Sequence, residues 1–279
     1  MNAGRIRLRQ TLAFWGPLGL MLAFLLLPFY WMVLTAVKSR QELLNTPNPW
    51  WSFHPTFQHI VRLLTGTEYG RWFLNTLFVS TGATLLSVTC AFLAAFAITR
   101  LRFRGARVLS TMIFLCYIVP PTILFIPLAS VLIDLGWFNH LWALIPIYGT
   151  FLIPFSTWLL IGFLRSIPRE LEEAARVDGA SWLRIMVRII LPLSVPGLIS
   201  AIIFCFTLSW NEYLYALVYM FSSQNKTVSV GLITELVRGD VFQWGQLMAG
   251  ALLGTLPVVL VYFFFVEYYV AGMSGALKE

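Results

Sequence analysis

A chain of 279 residues in which 59% are hydrophobic and 11% charged, with a mean hydropathy of +0.80, is not an ordinary soluble domain, where about a quarter of residues carry charge. Its net charge of +7 comes without a continuous basic face, because the arginines flank apolar runs; no nucleic-acid surface is expected. Cys90, Cys116 and Cys205 are odd in number, all lie inside apolar runs and form no closely spaced pair, so they read as small buried apolar residues.

Crossing a bilayer takes about 20 predominantly apolar residues, and six such runs follow one another. Arg5, Arg7 and Arg9 precede Thr11 to Val37. That run is too long for a signal peptide and lacks a small-residue cleavage site, so it is read as a retained first span. The segment from Lys38 to Arg71 holds Pro47, Pro49, Trp50, Trp51 and Pro55, which predicts an irregular loop with aromatics at headgroup level or packed on the outer surface. Trp72 to Thr99, Val108 to Ile133 and Leu141 to Leu164 are the next three spans, each free of Asp, Glu, Lys and Arg. The fifth runs from Leu191 to Phe221 with Glu212 inside it, and the sixth from Val241 to Val266, ending at Glu267. Pro120, Pro121, Pro127, Pro146, Pro154, Pro192, Pro196 and Pro257 lie in or at these spans. Each removes a backbone donor and can kink its helix, although proline is also commoner in membrane helices than in soluble ones.

Orientation follows from where Lys and Arg are retained during insertion. With both termini inside, the inner segments hold Arg5, Arg7 and Arg9, then Arg100, Arg102, Arg104 and Arg107, then five arginines between 165 and 188, and Lys278. Lys38, Arg40, Arg62, Arg71, Lys226 and Arg238 are left for the longer outer loops.

Between the fourth and fifth spans lies a polar hairpin. Glu170, Glu172 and Glu173 crowd the first turn of a short helix, where carboxylates favour the positive end of the macrodipole, and Gly179 stands where a left-handed turn ends it. Ser181 caps a second helix from Trp182, in which Trp182, Leu183, Ile185, Met186, Ile189 and Ile190 form an apolar stripe and Arg184 and Arg188 another face. By itself this fits a hairpin lying on the membrane surface, solvated on one side.

Its spacing says more. Glu173-Ala174-Ala175, three residues, Gly179, nine residues, then Ile189-x-Leu191-Pro192 runs without a gap, and Pro168-x-Glu170-Leu171 and Asp178-Gly179-Ala180 extend it. The stretch resembles the EAA loop of bacterial ABC importer permeases, in particular the sugar-uptake subgroup related to the maltose permease. The resemblance implies an all-α integral membrane protein of six transmembrane helices, the type-1 permease fold, divided into residues 1–70, a five-helix core 71–267 with the EAA loop at 165–192, and a cytoplasmic tail 268–279. Asn75-Thr76 resembles the first element of that core. It also implies that the first hairpin helix docks on a cytoplasmic ATP-binding cassette ATPase present in two copies, through Glu170, Leu171, Glu173, Ala174, Ala175, Asp178 and Gly179, with Ile189 and Pro192 completing the motif. A second, homologous permease and an extracytoplasmic solute-binding protein, the latter facing the Ser222 to Asp240 loop, are the other implied partners in a bacterial inner membrane. The implied cargo is a sugar or sugar derivative; a non-sugar solute such as glycerol-3-phosphate is the alternative.

Trp210-Asn211-Glu212-Tyr213 is the ionisable cluster within a span, a costly placement that usually faces a bundle interior or water. About 1.5 Å per residue from Pro192 puts Glu212 near the outer boundary. The cluster, also typical of the resembling subgroup, reads either as lining of the outer substrate pathway or as interhelical hydrogen bonding. No catalytic site is expected. Lys38, Lys226 and Lys278 all lack the Gly-Lys-Ser/Thr setting of a phosphate loop, no G-x-S-x-G element is present, and His54, His59 and His140 have no ligand cluster beside them, so neither metal nor cofactor is implied. Asn225-Lys226-Thr227 reads as a chance sequon. A secondary transporter, the other polytopic class, would carry internal repeats and more midplane charge.

Overall fold

The computed structural model describes residues 3–44, 50–101, 103–238 and 241–276, with side chains over 13–44, 50–101, 103–237 and 242–267. Pro47, Pro49, Arg102, Asp240 and Lys278 lie outside the described residues, as do the side chains of Arg5, Arg7, Arg9 and Arg238. The helices are α1 (Ala3–Val37), α2 (Arg40–Leu44), α3 (Gln58–Gly66), α4 (Tyr69–Arg100), α5 (Ala106–Ile118), α6 (Pro121–Asp134) and α7 (Leu144–Ser166). They continue with α8 (Glu170–Val177), α9 (Trp182–Ile185), α10 (Leu191–Leu193), α11 (Val195–Trp210), α12 (Leu214–Tyr219), α13 (Val228–Leu236) and α14 (Trp244–Ala276). Among the described residues the one departure from helix and loop is an antiparallel ribbon, Val237–Arg238 against Val241–Phe242.

Four helices are long and apolar enough to cross a membrane: Ala13–Val37, Tyr69–Arg100, Leu141–Ser166 and Trp244–Glu267. The third and fifth spans, whose prolines suggested kinks, are broken. Ala106–Ile118 and Pro121–Asp134 meet at 97°, and Trp182–Leu193 and Val195–Trp210 at 74°. Counting each bent pair as one span gives six. Both breaks have a local cause. Pro120 and Pro121 remove two consecutive backbone donors, while Pro192 and Pro196 remove two donors one turn apart. At the second break Ser194 gives both its amide (2.9 Å) and its hydroxyl (2.6 Å) to the Ile190 carbonyl. Pro127, Pro154 and Pro257, by contrast, sit inside uninterrupted helices. The last helix also runs on to Ala276, where a tail after Glu267 was expected.

Two compact units emerge, Met1–Tyr69 with Leu232–Thr255, and Gly70–Gly231 with Leu256–Glu279. In the first unit residues 50–57, with Trp50, Trp51 and Pro55, are irregular backbone as their Pro and Trp content suggested, while α2 and α3 add short helices at either end of the stretch. Ser39 and Glu42 form a capping box on α2: the Glu42 carboxylate accepts the Ser39 amide (3.0 Å), and Ser39 Oγ accepts the Glu42 amide (3.3 Å). The same buried carboxylate accepts Ser52 Oγ (2.9 Å) and the amides of Phe53 (2.7 Å) and His54 (3.1 Å), fastening the following loop. Burial alone would push the Glu42 carboxyl up, but these donors outweigh it and hold it at about 2. A folded-state value below the ordinary value of about 4.3 means the group stabilises the fold above that pH and ceases to as pH falls towards 2. Thermal melting in detergent is therefore expected to drop between about pH 4 and pH 2, and Glu42→Gln is expected to lower it at pH 7 and flatten that dependence.

In the second unit, the start of α4 is tied to the loop after α12. Trp72 Nε1 donates to the Ser223 carbonyl (2.8 Å), and Asn75 Nδ2 to the carbonyls of Gln224 (2.7 Å) and Lys226 (2.9 Å). Thr76 Oγ1 accepts the Val228 amide (2.8 Å), so Asn75-Thr76 has a structural task. Asn139, in the left-handed region at φ 61°, accepts the amides of Phe221 and Ser222 and accepts at its own carbonyl from Asn225. Tyr215 and Tyr219, one turn apart, reach the carbonyls of Pro121 and Phe125, also one turn apart, each at 2.7 Å, fixing α12 along α6. Of the three cysteines only Cys205 is buried, with its sulfur 2.9 Å from Ser156 Oγ; Cys90 is half-buried and Cys116 exposed, which corrects the expectation that all three are core residues.

Candidate functional site

The hairpin between α7 and α11 is built as its sequence requires. α8 starts with Glu170, Glu172 and Glu173 in its first turn and stops at Val177. Gly179 has φ +80°, its amide donates to the Arg176 carbonyl (3.0 Å), and the Ala180 amide reaches the Ala175 carbonyl (2.9 Å). These two bonds are a Schellman motif, whose left-handed position favours glycine. Ser181 then caps α9, its Oγ accepting the Arg184 amide at 3.4 Å. The Arg176 guanidinium lies 4.9 Å above the Trp182 ring, joining the two arms of the hairpin.

Helical phase divides α8 into two faces. Glu172 is buried and Ala175 is half-buried against the core, whereas Glu170, Leu171, Glu173, Ala174, Val177, Asp178 and Gly179 are exposed. The two alanines of the motif therefore part: Ala174 faces out and Ala175 packs on the chain's own core. Leu171 (45% exposed) and Val177 (88%) put apolar surface on the outer face with Ala174 between them. Val177 was not singled out from the sequence, although its spacing of three from Ala174 and six from Leu171 places it there.

The buried face is anchored by charge. Arg100, the last residue of α4, sets its Nε 2.5 Å from Glu172 Oε1, with side chains 2% and 6% exposed. Its Nη2 donates to the Leu164 (2.7 Å) and Ile167 (3.0 Å) carbonyls at the end of α7. Arg169 returns a bond from the hairpin, Nη2 to the Thr99 carbonyl at 3.2 Å. Burial pushes the Glu172 carboxyl above the ordinary carboxylate value while Arg100 and Arg169 pull it back. A cavity of about 580 Å3 opens beside the pair, lined by Arg100, Leu101, Arg169, Glu172, Glu173, Arg176 and Trp182. Sequence reasoning gave Arg100 and Arg169 only a topological role and placed Glu172 only as a first-turn acid.

The second arm departs from a regular α-helix. Met186–Ile190 is π-helical and leads into α10, and Leu183 of α9, expected in the apolar stripe, is 66% exposed. Ile185 and Ile190 are buried, Ile189 packs half-buried against the core, and Pro192 is exposed, so Ile189 and Pro192 are not part of α8's outer face.

The Trp210–Tyr213 cluster lies where α11 ends, not inside a continuous span. Trp210 is buried, stacked on Phe206 and edge-on to Phe73, each with centroids 5.5 Å apart. Asn211 is exposed, its Nδ2 returning to the Thr207 carbonyl (2.8 Å). Glu212, half-buried, caps α12: its two oxygens accept the amides of Tyr215 (2.8 Å) and Ala216 (3.1 Å). Those two bonds are local to one segment, and Tyr148 of α7 stands against the same carboxylate, the interhelical kind of contact that was one of the two expectations. Tyr213 is half-buried beside it.

Apolar helices sufficient for several crossings, together with a short amphipathic helix held on the ends of two of them, define a multi-pass integral membrane protein. The chain belongs to the family described as binding-protein-dependent transport system inner membrane component, which matches residues 87–275. It is 32% identical to the inner membrane ABC transporter permease protein YcjP of Escherichia coli over 98% of each chain. It is 31% identical to the trehalose/maltose transport system permease protein MalG of Thermococcus litoralis, over 93% of this chain and 94% of that one. Among solved structures it resembles a bacterial ABC transporter involved in import of the acidic polysaccharide alginate, with a TM-score of 0.78, 21% identity and coverage of 96% of this chain and 99% of that chain, a likeness of fold.

Proposed function

We propose that this chain is the membrane-spanning permease subunit of an ATP-driven importer for a sugar or sugar derivative, with both termini in the cytoplasm of a bacterial cell. It does not hydrolyse ATP. α8 docks on an ATP-binding cassette ATPase, two copies of which serve this chain and a homologous second permease, and an extracytoplasmic binding protein delivers the solute. The observation that carries this reading is the outer face of α8: apolar side chains left exposed among the described residues, on a helix whose opposite face is clamped to the spans. Membership of the family and the sugar named for the Thermococcus relative support it. Glu170, Glu173, Asp178 and Gly179 frame that face. On the substrate pathway, exposed Asn211 fits the role better than Glu212, whose carboxylate oxygens are engaged, or Trp210, which is packed.

Affinity purification of the chain from its native membrane, wild type beside Gly179→Asp, is the test. An ATPase subunit and a second permease are expected with the wild type. The substitution forces a branched side chain into the left-handed position and is expected to lower ATPase recovery severalfold, at a local cost of about 1 to 2 kcal/mol. Absence of any ATPase from the wild-type preparation would overturn the reading.

A further inference from the structure

We propose that Arg100 is a positioning residue that makes α8 move as one body with the ends of α4 and α7. The inference rests on the importer reading and names the contact through which motion would pass. One guanidinium meets three elements: it belongs to the last turn of α4, pairs with Glu172 of α8 at 2.5 Å, and donates to two carbonyls at the end of α7 at 2.7 and 3.0 Å. The Leu164 carbonyl otherwise takes only the long Ile167 amide bond at 3.3 Å, both carbonyls lie where a helix end leaves its acceptors short of donors, and charge-assisted bonds are the stronger kind. Arg169 to the Thr99 carbonyl adds a tie in the reverse direction.

Packing does not replace this clamp. Of α8's side chains only Glu172 is buried and only Ala175 packs on the core, and the side holding Arg169, Arg176 and Trp182 opens into the cavity. A push on the outer face of α8 therefore reaches the spans through the ion pair and the chain connections at either end. The pair also separates two adjacent acids, since Glu172 is buried in the clamp while Glu173 is exposed at the rim of the cavity beside it.

The experiment is hydrogen exchange on the full chain, read at the α8 amides and at the far ends of α4 and α7, alone and in complex with its ATPase with or without Mg-ATP and vanadate. In the chain alone, Glu172→Gln is expected to speed α8 exchange about 10-fold or more, as loss of a buried pair frees a local opening. In the complex, nucleotide is expected to change exchange at α8 and at the far span ends in the wild type; with Glu172→Gln the α8 response stays and the span response falls severalfold. Arg100→Lys, which keeps the charge but not the fork of donors, is expected to fall between. Unchanged α8 protection in Glu172→Gln, or an undiminished span response, overturns the proposal. If the wild type binds no ATPase, the importer reading fails instead, and the measurement on the chain alone still decides the clamp.

Discussion

Val177→Asp is expected to strip the ATPase from the purified complex while leaving the melting temperature of the permease nearly unchanged. Val177 is 88% exposed, so its side chain has almost nothing to lose within the chain, and a carboxylate at this solvated helix end costs the folded permease only about 0.3 to 1 kcal/mol. In a docked complex the same carboxylate would be desolvated among apolar groups with no partner provided for it. Centrally buried interface residues typically contribute 2 kcal/mol or more on truncation, and an unpaired buried charge adds to that. A loss of about 2 to 4 kcal/mol, or roughly 30- to 1000-fold in affinity, follows. Val177→Ala should cost about 1 kcal/mol. Titration of the ATPase against the permease in detergent measures both. If α8 were merely a solvated surface hairpin, Val177→Asp would bind as wild type does, so equal affinity would remove α8's outer face from the docking surface.

The hairpin was the part of the chain most legible in its sequence, and the reason is that local rules govern it. Gly179 at φ +80° and Ser181 as a cap are each decided within four residues, and those are the features that the spacing of acids, glycine and serine marks. What stayed hidden depends on what lies across the fold. Glu172 and Glu173 are chemically identical neighbours, and only the rotation of α8 about its axis sends one to Arg100 and the other outward. Proline was ambiguous for a related reason. Pro127, Pro154 and Pro257 leave their helices intact, and a break occurs where two prolines combine, adjacent at 120 and 121 or one turn apart at 192 and 196. Glu212 was read as an ion inside a span because the apolar run continues past it, whereas α11 ends at Trp210 and the carboxylate caps the next helix. The Ser39-x-x-Glu42 capping box was readable, but the surrounding Pro and Trp residues argued for irregular backbone.

Gly231→Ala is expected to be the most damaging single methyl in the second unit. A β-carbon at Gly231 would stand 2.3 Å from Cδ2 and 2.4 Å from Cε3 of Trp72, far inside contact distance and against a rigid ring. Whether the substitution is tolerated depends on whether the ring can give way. Trp72 is 1% exposed, so it has no open space to enter, and its Nε1 donates to the Ser223 carbonyl at 2.8 Å, so any swing of the ring also breaks that bond. Overpacking costs about 1 to 3 kcal/mol, and a buried hydrogen bond lost with it adds about 1 kcal/mol. The effect should also reach beyond stability, because Ser223 begins the loop that Asn75 and Asn139 hold. Exchange of the amides from Ser222 to Thr227 is expected to accelerate in step with the loss of melting temperature. A double-mutant cycle separates the clash from any effect of alanine on α13 itself. In the Trp72→Leu background the ring is gone, and Gly231→Ala should become nearly neutral or stabilising, since alanine favours helix over glycine by about 1 kcal/mol. Additive costs in the cycle would show that Gly231 is needed for something other than the approach of Trp72, and the account of how α13 is seated against α4 would have to change.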